Sequence, residues 1–123
     1  MNNTTSPAQN DESQNDDQDE SLAIAQEILR QLGGRMFIMM TGSKQFLALK
    51  SGLQFTVGEN AKGVNRVQVI LEADDTYTVK ASRVQVNRRT GEVTVQAKGQ
   101  EQGVYNDNLQ AVFTSLTDLY TRF

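Results

Sequence analysis

The chain has 123 residues, 37% of them apolar and 7% aromatic, with 12 basic side chains against 15 acidic ones for a net charge of −3. It contains no cysteine and no histidine, which removes disulfides, thiolate nucleophiles, Cys-ligated metal, the commonest general base and the commonest zinc ligand together. The length allows one domain with a modest core of Val, Leu, Ile and Met, and no segment approaches the roughly 20 apolar residues that a membrane helix needs.

Residues 1–20 contain no Val, Ile, Leu or aromatic side chain, so they cannot bury enough surface to offset the entropy of ordering. A disordered acidic tail is expected there. It holds six of the acidic residues and none of the basic ones, which leaves residues 21–123 with 12 basic against 9 acidic, net +3. That remainder reads as a single α+β domain. With neither a basic nor an apolar start, the N-terminus does not resemble a leader, and a soluble, intracellular protein is expected.

From Ser21 the pattern is helical: Leu22, Ala25, Ile28, Leu29 and Leu32 fall at spacings of three and four, and Gly33-Gly34 supplies the stop. The next apolar runs, Met36 to Thr41 and Phe46 to Lys50, read as strands on either side of a turn. In that reading Met39 and Met40 face opposite ways, with one or two methionines in the core. Leu53, Phe55 and Val57 then alternate with polar residues, as do Val67, Val69 and Leu71. Thr76 to Val86 changes phase between Ala81 and Val84, which calls for a bulge near Ser82-Arg83. After "NRRTG" (87–91), Val93, Val95 and Ala97 are expected on the inner face. The helical period returns with Leu109, Val112, Phe113, Leu116 and Tyr120, capped by Asn106 or Asp107. The expected fold is a mainly antiparallel sheet of about five strands, with an N-terminal and a C-terminal helix packed on one face.

Three stretches carry residue types suited to binding. The turn Thr41, Gly42, Ser43, Lys44, Gln45 and Phe46 lacks the upstream glycine of a phosphate-binding loop, so it reads as a corner and as a possible protein contact. Lys80, Arg83, Arg88 and Arg89, with Arg66 on a neighbouring strand, could meet nucleic acid phosphates, although aromatic stacking platforms are missing. Glu72, Asp74 and Asp75 are the only close carboxylates in 21–123, and a tight turn accounts for them better than acid–base work or metal binding. No catalytic, metal-binding or cofactor-binding residue is expected, and no cofactor.

Taken together, "LGGRMFIMMTGSKQF", "GLQFTVG", "DTYTV" and "GVYNDNLQAVFTSLTDLYTRF" resemble a family of small proteins of tailed phages and related mobile elements. The family pattern runs Leu-Gly-Gly, then Met-Thr-Gly-x-Lys-x-Phe, then Val-Tyr-x-Asp-x-Leu-Gln-x-x-Phe-Thr. The likeness covers Leu22 to Phe123, with Ser43 where the family has Ala and Gln45 where it has Asn. It brings no catalytic residues with it. What it implies is context: a phage accessory protein acting in the cytoplasm of a bacterial host. Small phage proteins without catalytic residue types act by binding, so the expected function is a non-enzymatic module that engages a host or phage protein. The alternatives are a nucleic-acid-associated protein whose acidic tail modulates a weakly basic domain, and a self-assembling virion component.

Overall fold

A computed structural model describes residues 5–121 of the chain. Its element order is helix α1 (Thr5–Leu32), helix α2 (Gly34–Thr41), strands β1 (Lys44–Leu49), β2 (Gly52–Thr56), β3 (Arg66–Leu71), β4 (Tyr77–Val86) and β5 (Val93–Val104), a 3-10 turn (Asn106–Asn108) and helix α3 (Leu109–Thr117). The strands form one antiparallel meander in the order β1-β2-β3-β4-β5. The expected α+β class is therefore what the chain adopts. No helix among the described residues is long and apolar enough to cross a membrane.

The register puts Leu53, Phe55, Val67, Val69, Val79 and Ala81 on one face of the sheet, where all six are buried. The helices cover that face. From α1 come Ala25, Ile28 and Leu32, from α2 Phe37, and from α3 Leu109 and Phe113. Burying side chains of this size contributes about 1.5–3 kcal/mol each, against the conformational entropy of ordering the chain.

Four expectations are corrected. Helix α1 begins at Thr5 rather than Ser21, and residues 1–4, part of the stretch read as an acidic tail, are outside the described ones. Nothing in the sequence after Pro7 breaks a helix, and Pro itself is tolerated in a first turn. Ser21 lies inside the helix, where its hydroxyl donates to the Lys50 carbonyl at 3.0 Å and ties α1 to the β1–β2 turn. Met36 to Thr41 is helix and not strand: Phe37 and Thr41, four residues apart, share the buried side, and Thr41 Oγ1 donates to the Phe37 carbonyl at 2.7 Å. Met36 and Met39 consequently sit on the outer side of α2, with Met39 72% exposed, and Met40 is half-buried.

The third correction concerns β4 and β5. A bulge does fall where it was expected, but on the partner strand: Ala81 pairs with Gly99 and Ser82 with Ala97, so Lys98 is the extra residue. Strand β4 keeps its alternation. Val84 and Val86 then lie on the same side as Lys80, facing away from the core, together with their partners Val95 and Val93. Fourth, Tyr120 is 66% exposed, because Asp118 turns left-handed (φ 66°) and ends α3 before Tyr120 can join the apolar stripe.

The last β3–β4 pair is Arg66 with Ser82, so beyond it β4 and β5 continue as a two-stranded arm. Asn65 anchors the root of this arm. Its Oδ1 accepts from the Val84 N–H at 2.8 Å and its Nδ2 donates to the Val84 carbonyl at 2.9 Å, so one side chain supplies both bonds of a missing strand residue. Asn65→Ala leaves both Val84 groups unpaired and is expected to cost about 1–3 kcal/mol of local stability. Asn65→Asp keeps the acceptor and should fall between. Amide exchange at Val84 and along the arm measures this; unchanged protection in Asn65→Ala would show that the arm is held by other contacts.

Candidate functional site

The turn from Thr41 to Phe46 is the C-terminus of a helix. Gly42 sits in the left-handed region (φ 67°), its N–H bonds to the Ile38 carbonyl, and α2 stops there. A helix C-terminus presents carbonyls and the negative end of the dipole, so this corner is the wrong end of a helix for a phosphate. Thr41 and Ser43 are buried, their hydroxyls bonded to each other, and the Gly58 N–H donates to the Thr41 carbonyl at 3.0 Å. Of the six turn residues, Lys44, Gln45 and Phe46 remain available at the surface beside Gly42.

The four cations proposed for nucleic acid do not form one patch. Lys80 lies on the side of the sheet without helices. Arg83, by alternation on the opposite side, donates to the Gly63 carbonyl at 3.3 Å. Arg88 and Arg89 sit at the tip of the arm, where the Asn87 side chain accepts from the N–H groups of Arg89 and Thr90 at 2.9 and 3.3 Å.

What the structure brings together instead is a row that crosses all five strands. Lys44 pairs with Thr56, Thr56 with Arg66, Arg66 with Ser82, and Ser82 with Ala97. Two residues further along lies a second row on the same face, made of Leu47, Gln54, Gln68, Lys80 and Gln100. Within these two rows every charged side chain is basic. The carboxylates Glu72, Asp74 and Asp75 lie at the other end of the strands, in the β3–β4 turn. There Glu72 accepts from the Thr78 hydroxyl at 2.6 Å, and Asp74 from the Thr76 hydroxyl and N–H at 2.7 and 3.1 Å. The Thr76 hydrogen bonds hold the Asp74 carboxyl below its ordinary pKa, which is the behaviour of a turn cap.

Among the described residues the ion pair found is Glu27 with Arg30 on α1, and the hydrogen bond from Arg30 lowers the Glu27 pKa to about 2. Lys44, Arg66 and Lys80 have no carboxylate partner there. Arg66 is half-buried, and its Nε is shielded from solvent without a hydrogen-bond acceptor. It borders a groove of about 490 Å³, whose lining also includes Gln68, Lys80, Ser82, Lys98 and Gln100.

The arm is the second exposed feature. Val86, Val93 and Val95 are 58%, 57% and 55% exposed, with Val84 half-buried beside Val95, so one side of the ribbon is a continuous valine surface. Its opposite side carries Arg83, Gln85, Thr94 and Gln96. Alternation alone cannot reveal this surface, because strands with valine at every second position read as core. The signal that could have found it is the length of β5, 12 residues against 6 in β3, which leaves its first half without a third strand.

No protein-family model, no curated protein and no solved structure matches the chain.

Proposed function

We propose that the protein is a non-enzymatic binding module that engages a protein partner through the valine side of the β4–β5 arm. The observation that carries this reading is the arm itself: a two-stranded ribbon held out past the sheet, with four valines on one side and, among the described residues, no helix over them. Exposed contiguous apolar surface costs solubility, and where a fold keeps it the surface marks an interaction site. Isolated two-stranded ribbons are also marginal in water, so a partner that covers the valines would stabilise the arm as well as bind it. The likeness to small phage proteins supports a setting inside a bacterial host, with a host or phage protein as the partner.

The test is affinity capture with the full chain and with Val86→Thr/Val93→Thr, which keeps side-chain shape and strand propensity. At about 1 kcal/mol per valine the double variant should bind roughly 30-fold more weakly. Met39→Thr, on α2, serves as the control and should bind as the unaltered chain does. A partner retained equally by both variants would refute the arm as the contact. Sedimentation of the isolated chain separates a foreign partner from a second copy.

A further inference from the structure

We propose that the helix-free face of the sheet is a binding site for single-stranded nucleic acid, with Lys44, Arg66 and Lys80 on its phosphates and Lys98 at the rim. Three observations meet on this face. First, the two cross-strand rows carry cations and no carboxylate, and none of those cations is neutralised by an ion pair among the described residues. With strands about 4.8 Å apart, Lys44 and Arg66 stand about 10 Å apart at the backbone, and Lys80 is one strand and two residues beyond Arg66. Long side chains at such spacing follow a flexible backbone from one phosphate to the next.

Second, the shielded Nε of Arg66 is a donor without an acceptor, beside a groove that Lys80 and Lys98 also border. The half-buried Arg66 keeps part of its surface open at this groove, and a guanidinium is the side chain best shaped to hold a phosphate. Third, the positions around the cations are Gln54, Thr56, Gln68, Ser82 and Gln100, neutral groups that both donate and accept. The Gln68 amide already donates to Gln54 at 2.7 Å, which fixes the pair side by side. Amides and hydroxyls of this kind bond the edges of unpaired bases, which a duplex turns inward against each other. The groove, at about 490 Å³, has the size of a small-ligand pocket and admits a nucleotide, not a duplex. Val95 and Ala97 line it as well, giving a base an apolar wall in place of an aromatic platform. Binding is therefore dominated by the backbone and tolerant of sequence.

The experiment is fluorescence anisotropy of a labelled 20-nucleotide mixed-sequence DNA strand, and of the same sequence as duplex, titrated with the full chain at 50 and 200 mM salt. Three phosphate contacts on a single strand predict affinity falling roughly 20-fold over that interval. Lys44→Glu/Lys80→Glu should weaken binding more than tenfold, whereas Arg35→Glu/Lys50→Glu, with the same change of net charge away from the face, should weaken it by less than threefold. Arg66→Gln tests the guanidinium and should weaken binding severalfold. The proposal is overturned by absence of binding at 50 mM salt, by equal or tighter binding of the duplex, by equal losses in the two charge-reversed variants, or by inorganic polyphosphate competing as well as the unlabelled strand. Val86→Thr/Val93→Thr should leave strand binding unchanged, so the failure of one site is distinguishable from the failure of the other.

Discussion

Phe113→Ala should lose about 3–5 kcal/mol of folding stability, a large part of the 5–15 kcal/mol available to a domain of this size. Phe113 is fully buried on α3, its ring 5.0 Å from that of Phe37 on α2 and 6.2 Å from that of Phe55 on β2, while Phe37 and Phe55 stand 5.5 Å apart. The Phe37 contacts are edge-on, an arrangement that adds to plain burial. These three rings join two helices to the sheet, so truncating one opens a cavity that backbone from three different elements would have to close. Phe113→Leu fills most of the space and should cost about 1–1.5 kcal/mol. Urea unfolding of both variants is the measurement, and a loss below 1 kcal/mol in the alanine variant would mean that the rings are not the keystone.

Gly52→Ala is the second large effect. A Cβ at this position would lie 2.3 Å from the Val69 carbonyl oxygen and 3.1 Å from the Ile70 Cα, both backbone atoms of β3. The strand pair cannot keep its spacing with a methyl group there, and a loss of about 3 kcal/mol or more is expected. Gly99→Ala provides the contrast. Its nearest contact is the Leu116 Cδ2 at 2.8 Å, the end of a side chain that can rotate aside, so about 1 kcal/mol is expected. Thermal unfolding of the pair checks the ranking; equal losses would show that β3 yields as easily as a leucine side chain does.

The sheet was legible where alternation was clean. Leu53 and Phe55 against Gln54, and Val67 and Val69 against Gln68, declare both the strands and their buried side. Helix α2 was not, because an apolar run of six residues satisfies a buried strand and a short helix equally. The contact that decides between them, Phe37 over Phe55 and Phe113, joins residues far apart in the chain. The arm misled for a related reason. Val84, Val86, Val93 and Val95 have the composition of a core, and only the limits of β3 and of the helices leave them uncovered. The cross-strand row of cations was half visible, since Lys80 and Arg66 were placed on neighbouring strands. Lys44 joined them through a register that no local pattern encodes.

The meander and the helices differ in when they can form. Each strand pairs with the one just before it in the chain, so the sheet assembles from short loops and needs little search. Its covering helices come from opposite ends, and α3 holds nearly the last described residues. While the chain is being synthesised, a complete sheet can exist with Phe37 and Phe55 still lacking Phe113. A ribosome-bound chain that has not yet released α3 therefore shows a wet apolar face, and a product cut short before Leu109 would be a substrate for chaperones and proteases rather than a smaller working domain.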